Sequence, residues 1–315
     1  MKAYFLRHLS ITILACILIA GCNGLKITKP MLSMAVASSN KLSTALTFAD
    51  SCEKKTALPY VMGGSPSQVV DLYYAPSDIR KGVLLIDIHG GFYVAGKREN
   101  NRTFASAFLR DGFDVALLEY RLNDGTLDVQ DELGDCAAAL DYLASNAPAL
   151  GLDRSRMFLT GDSAGGHLAL YMAEGAENPA MPVRPLTFRP RGVMLNCPAY
   201  DFASFSNPAG FTQGTLEWFI GPRYEDKAWL ESMSPRTFIG SYTGPLFVST
   251  CKNDFIRDQS MLIKADCDSL GRSMVLVDIV ADSKKVGHVH NVINLSLPES
   301  VMVNDRMKEF MESAL

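Results

Sequence analysis

In this 315-residue chain a small set of side chains has the types and spacing for nucleophilic attack on a carbonyl. Ser163 stands in LTGDSAGGHLAL, residues 159–170, framed by Gly161 and Gly165. A serine attacks only when a base takes its proton and a carboxylate orients that base. The histidines are His8, His89, His167, His288 and His290. His167 lies one turn past Ser163 and reads as a packing residue. His288 and His290, in VGHVHNVIN, follow the last strand-like run, where a base belongs when the chain order is serine, acid, histidine. Asp254, in CKNDFIRDQS, lies just beyond the preceding run and is preferred as the acid; Asp258 sits where a helix begins. A developing oxyanion needs backbone N–H donors. VLLIDIHGGFYVAG supplies Gly91 and Phe92, and the residue after the serine supplies Ala164.

These residues need a scaffold that brings distant segments together. Short apolar runs at 69–74, 83–88, 114–119, 157–160, 192–195, 246–250 and 274–280 have the character of strands buried on both faces. Helical segments are expected near 99–110, 131–146, 164–174, 258–270 and 299–313. In 131–146, Leu133, Cys136, Ala137, Leu140 and Leu143 share one face at helical spacing. Such alternation predicts an α/β fold with one mostly parallel sheet flanked by helices. The strand–serine–helix order around Ser163 is a nucleophile elbow, whose glycines permit a sharp turn. Residues 198–240 break the alternation with aromatic, Pro/Gly-interrupted sequence and read as a cap or lid insert.

HGGFYVAG and GDSAGGHLAL, in that order, with YRL at 120–122, NDFIRD at 253–258 and GHVHNVINLSLPES, resemble the hormone-sensitive-lipase-like esterases of the α/β-hydrolase fold. The resemblance spans about residues 60–315. It implies Ser163 as nucleophile, Asp254 as acid and His288 as base. Phe92 stands where that branch often carries a third glycine, and His290 where it commonly carries an aromatic residue. The chemistry implied is two-step acyl transfer on small acyl esters, such as acetyl or feruloyl groups on carbohydrates, without a metal or organic cofactor. A serine peptidase of the same fold and a non-catalytic surface-binding lipoprotein are the competing readings.

The N-terminus reads as an export signal. Lys2 and Arg7 precede an apolar stretch at 9–20, too short for the ~20 residues of a spanning helix. IAGC at 19–22 resembles a bacterial lipobox, which implies lipidation of Cys22 after removal of residues 1–21. Residues 22–54 then form a tether and 55–315 the catalytic domain, exported and lipid-anchored at a bacterial membrane, at the outer membrane or periplasmic face. Cys52, Cys136, Cys197, Cys251 and Cys267 show no metal-ligand spacing, and Cys136, Cys197 and Cys251 read as core thiols. A net charge of −4 without a basic stripe argues against a nucleic-acid partner.

Overall fold

The computed structural model describes residues 47–205 and 213–315, residue 185 aside. The signal segment and Cys22 lie outside the described residues. Eight strands form one sheet: β1 (Lys54–Pro59), β2 (Val69–Tyr73), β3 (Leu84–Ile88), β4 (Asp114–Leu118), β5 (Met157–Asp162), β6 (Val193–Asn196), β7 (Leu246–Cys251) and β8 (Val275–Ile279). Their spatial order is β1-β2-β4-β3-β5-β6-β7-β8. β1 and β2 pair antiparallel, as do β2 and β4; every other pairing is parallel. β2 to β7 are buried throughout, as expected of strands covered on both faces.

The helices are α1 (Arg102–Leu109), α2 (Val129–Ser145), α3 (Ala164–Gly175), α4 (Phe202–Phe205), α5 (Gln213–Ile220), α6 (Lys227–Ser232), α7 (Arg257–Ser269), α8 (His290–Ile293) and α9 (Pro298–Ser313). Leu133 and Leu140 of α2, Leu168 and Met172 of α3, and Ile263 of α7 pack with Leu84, Ile86 and Leu159 on one face of the sheet. Phe104 and Phe108 of α1 pack with Met307 and Phe310 of α9, Leu85 and Phe247 on the other. The six parallel strands therefore point their carboxyl ends to one edge, where loops of an open α/β sheet build sites. Among the described residues no helix is long and apolar enough to cross a membrane.

β1 has no counterpart among the expected strands. It is a largely exposed edge strand, KKTALP, without an apolar face to mark it. Just before it, a 3₁₀ turn at Phe48–Ser51 docks on α1: the Ala49 N–H donates to Ser106 Oγ at 3.0 Å, and Arg102 pairs with Asp50 at 2.9 Å. Residues 47–53, read from the sequence as tether, thus pack on the domain. The described part of the 198–240 insert is helical, and it buries Phe202, Trp229, Leu230 and Met233 in the main core.

Candidate active site

Ser163 sits between the end of β5 and the start of α3, with φ 54° and ψ −118°. Left-handed backbone at a residue with a Cβ costs roughly 1–3 kcal/mol and persists only where the surroundings over-determine it. Here its N–H donates to the Asn196 carbonyl at 2.9 Å, and its own carbonyl accepts from Ala199, Gly166 and His167 at 3.1, 3.1 and 3.3 Å. A methyl group on Gly165 would overlap the Ile88 carbonyl oxygen, so only glycine lets α3 pack this closely on β3. The turn leaves Ser163 at the N-terminus of α3, whose first N–H groups have no partner inside the helix.

The loop after β3 closes over the elbow. A Cβ at Gly90 would stand 3.0 Å from Ser163 Cβ and 2.7 Å from Asp162 Oδ2. Phe92, Tyr93, Ser163, Ala164, Ala199, Phe219, Phe255 and Ile256 line one small pocket with an enclosed volume of about 20 Å³, room for about one water molecule. The structure thus brings Phe92 and Ala164 to Ser163, with Gly91 next in the same loop. Phe92 holds φ 56°; its ring stacks on Phe255 at 5.9 Å and meets Phe219 edge-on at 6.0 Å.

Asp254 follows β7 and His288 follows β8. His288 Nδ1 lies 2.7 Å from Asp254 Oδ1. Asp254 also accepts from Thr250 Oγ1 at 3.0 Å and from the Ile256 N–H at 3.1 Å. Burial pushes the Asp254 carboxyl up, but the His288 charge, the hydrogen bonds from His288 and the Ile256 N–H, and the Cys197 thiol outweigh it and hold it below the usual range. An ionised Asp254 places the shared proton on Nδ1, which leaves Nε2 as the acceptor. That Nε2 is buried and has no hydrogen-bond partner among the described residues. The His288 loop is fixed by Asn253, whose amide reaches the carbonyls of Ala281, Ser283 and Val286 at 3.1–3.2 Å. The His288 ring packs 4.4 Å from Phe255, which carries it to the pocket that holds Ser163.

The other candidates lie elsewhere. His290 Nδ1 bonds Ser300 Oγ at 2.9 Å, and that hydroxyl donates to the His290 carbonyl at 3.0 Å, tying α8 to α9. Asp258 is in the first turn of α7. His167 is fully buried, with Nε2 on the Met233 carbonyl at 2.8 Å and its ring stacked on Phe202 at 4.6 Å; burial pushes it down to about 4. Cys197 packs against the acid–base pair: one ligand atom each from Cys197, Asp254 and His288 lie within 4.8 Å of one another. The His288–Asp254 hydrogen bond already engages two of them, and the Val289 N–H is directed at the thiol, 3.3 Å from Sγ. The described cysteines are free thiols.

Two polar clusters beside the site escaped the sequence reading. His89 Nδ1 bonds the Gly90 carbonyl at 2.9 Å, stacks on Tyr120 at 4.4 Å and lies 3.6 Å from Glu119, which Arg98 holds at 3.1 Å. Burial pushes His89 down, yet Glu119 outweighs it and the net shift is upward. Beneath the elbow, Asn101 Nδ2 donates to Asp87 Oδ2 at 2.8 Å and to Asp162 Oδ1 at 2.9 Å. The signal for the second cluster is an aspartate in the otherwise apolar strand LLIDI.

With this geometry in place, the BD-FAE family profile matches residues 70–265. Ethyl acetate hydrolase of Pseudomonas putida is 30% identical over 223 residues, 64% of this chain and 61% of that protein. Carboxylesterase NlhH of Mycobacterium tuberculosis is 26% identical over 235 residues, 71% of each chain. Among solved structures, esterase B from Lactobacillus rhamnosis inhibited by a C4–C4 tributyrin phosphonate superposes with a TM-score of 0.79 at 24% identity, covering 96% of this chain and 95% of that one. A bacterial heroin esterase superposes with a TM-score of 0.72 at 22% identity, covering 95% and 97%. At such identity the likeness carries the fold, which is that of the α/β-hydrolase esterases. The chain spans 61% of the length of the Pseudomonas relative.

Proposed function

The chain belongs to the BD-FAE family, and from that premise we propose that it is a serine carboxylic ester hydrolase acting on short acyl esters. One observation carries the reading: a buried His288, held by Asp254 on Nδ1, packs on Phe255, a wall of the pocket that holds a strained Ser163. Ser163 Oγ attacks the ester carbonyl as Nε2 takes its proton. The oxyanion that forms is stabilised by the N–H groups of Gly91, Phe92 and Ala164, worth about 3–4 kcal/mol per donor in comparable sites. Asp254 stabilises the imidazolium, which then protonates the leaving alcohol. Water, activated by the same Nε2, hydrolyses the acyl-enzyme.

The aromatic pocket favours short acyl chains, because Phe92, Phe219 and Phe255 leave little free volume beside Ser163. Ethyl acetate and tributyrin, named for two of the similar proteins, are esters of this kind. Of the carbohydrate esters expected from the sequence, acetyl groups fit this pocket and are the proposed physiological esters; a feruloyl group is too bulky for it as it stands. The proposal places the enzyme outside the cytosol on a Cys22 lipid, from the IAGC motif alone. A panel of p-nitrophenyl esters from acetyl to decanoyl, with acetylated xylan and peptide anilides alongside, tests the substrate class. Turnover peaking at acetyl to butyryl supports it, and preferential cleavage of the anilides would overturn it. Radiolabelled palmitate entering the full chain but not its Cys22→Ser variant supports the anchor; equal solubility without label would remove it.

A further inference from the structure

Directly under the nucleophile, two carboxylates from adjacent parallel strands share one donor. Asp87 lies in β3 and Asp162 ends β5, next to Ser163, and both are buried. The Asn101 amide nitrogen bridges them at 2.8 and 2.9 Å. Asp162 has further support. Burial pushes its carboxyl above the usual range, but beyond Asn101 the charge of His89, the facing Gly90 N–H of the oxyanion loop and the charge of His288 oppose that rise. Asp87 has less. Beyond Asn101 and the more distant His89, its Oδ1 is buried with no partner among the described residues. An anionic oxygen left unpaired in that position is far costlier than a neutral one. Two like charges this close and this dry do not both ionise.

We propose that Asp87 and Asp162 share one proton as a latch beneath the elbow: a neutral Asp87 lets an ionised Asp162 hold the Gly90 N–H, and so positions the oxyanion loop against Ser163. Asp87 is a positioning residue, acting through Asp162. The charged and titratable groups facing the pair are His89 just after β3, with Glu119 behind it just after β4, and His288 from the loop after β8. Burial first, then the Asp162 charge, pushes the Asp87 carboxyl up to about 8. When Asp87 releases its proton to solvent, the second carboxylate repels Asp162 and competes with it for Asn101, and the hold on Gly90 weakens.

The activity arm of the test rests on the esterase reading; the other two do not. Asp87→Asn is the isostere of the neutral acid. For wild type, kcat/KM on a short ester, followed by pH-stat, is expected to fall about tenfold between pH 7 and pH 9, as for one inactivating ionisation near 8. The variant is expected to hold its pH 7 value within about threefold over the same range. Stability supplies the second arm. A native state that keeps a proton the unfolded chain has lost becomes less stable as pH rises, here between the unfolded carboxylate range near 4 and about 8. The melting temperature of wild type should therefore fall more steeply across that window than that of Asp87→Asn. Third, because Glu132 and Glu174 are also buried carboxyls pushed up by burial, the infrared readout is a difference: wild type should show at pH 7 a protonated-acid component that is lost by pH 9.5 and is missing from Asp87→Asn. Parallel pH–rate and pH–melting profiles, or no such component, overturn the latch. Absence of ester turnover at every pH overturns the esterase reading instead, while the melting and infrared arms still decide the latch.

Discussion

Phe92→Gly opens the pocket at one defined point. The Phe92 ring stacks on Phe255 at 5.9 Å and meets Phe219 at 6.0 Å, so its removal breaks the aromatic wall beside Ser163. Its backbone sits at φ 56°, a conformation that costs a side-chain-bearing residue roughly 1–2 kcal/mol and glycine almost nothing. Two lost aromatic contacts at about 0.5–1.5 kcal/mol each offset that relief. The lost burial of the half-buried ring, about 1–2 kcal/mol, adds to these, so a net destabilisation of up to about 4 kcal/mol is expected. The N–H at position 92 survives, so acetyl ester turnover should stay within about tenfold of wild type. Longer chains gain: each methylene newly buried contributes about 0.8 kcal/mol, and a hexanoyl group carries four more than acetyl. Full burial would give about 3 kcal/mol, on the order of 200-fold, and partial burial at least tenfold. The assay is the ratio of kcat/KM for p-nitrophenyl hexanoate over acetate in wild type and variant. An unchanged ratio, or equal loss at every chain length, would refute the claim that this ring limits the pocket.

Two further substitutions sort the histidines. His288→Ala should lose esterase activity by on the order of 10⁴-fold, whereas His290→Ala, which breaks only the Ser300 contact, should lose far less and show its effect in thermal stability; the reverse pattern in kcat would contradict the assignment. His167, pushed down by burial to about 4, binds fewer protons folded than unfolded, so wild type should lose on the order of 3 kcal/mol as pH falls from about 6.5 to 4. His167→Gln, neutral throughout and still able to donate to the Met233 carbonyl, should flatten that acid limb in pH-dependent denaturant titrations; an identical slope would count against it.

The strands buried on both faces were legible because each is a compact apolar run, and β2 to β7 fall within a residue or two of the expected positions. β1 was not, because an edge strand facing solvent needs no apolar pattern. The elbow and the glycine loop were legible because the backbone there tolerates few residue types. Choosing between His288 and His290 was harder. Both are buried after β8, and what separates them is the three-dimensional fact that Asn253 fixes the preceding loop while Ser300 engages His290. The pocket wall was hidden for the same reason. Phe219 and Phe255 come from the insert and from the loop after β7, and nothing in their local sequence says that they meet Phe92. Asp87 was visible as a charge in an apolar strand, but its partner Asn101 precedes a helix on another segment, and only the fold joins them.

The central claim is that Ser163 is a nucleophile poised for acyl transfer, and active-site labelling tests it most directly. A fluorophosphonate probe should modify wild type stoichiometrically on the peptide containing Ser163, with loss of ester turnover in step with labelling. Ser163→Ala should take no label, keep the wild-type fold by circular dichroism, and lose on the order of 10⁴-fold or more in kcat. Labelling at another residue, or a Ser163→Ala variant keeping more than about a tenth of the activity, would contradict the account.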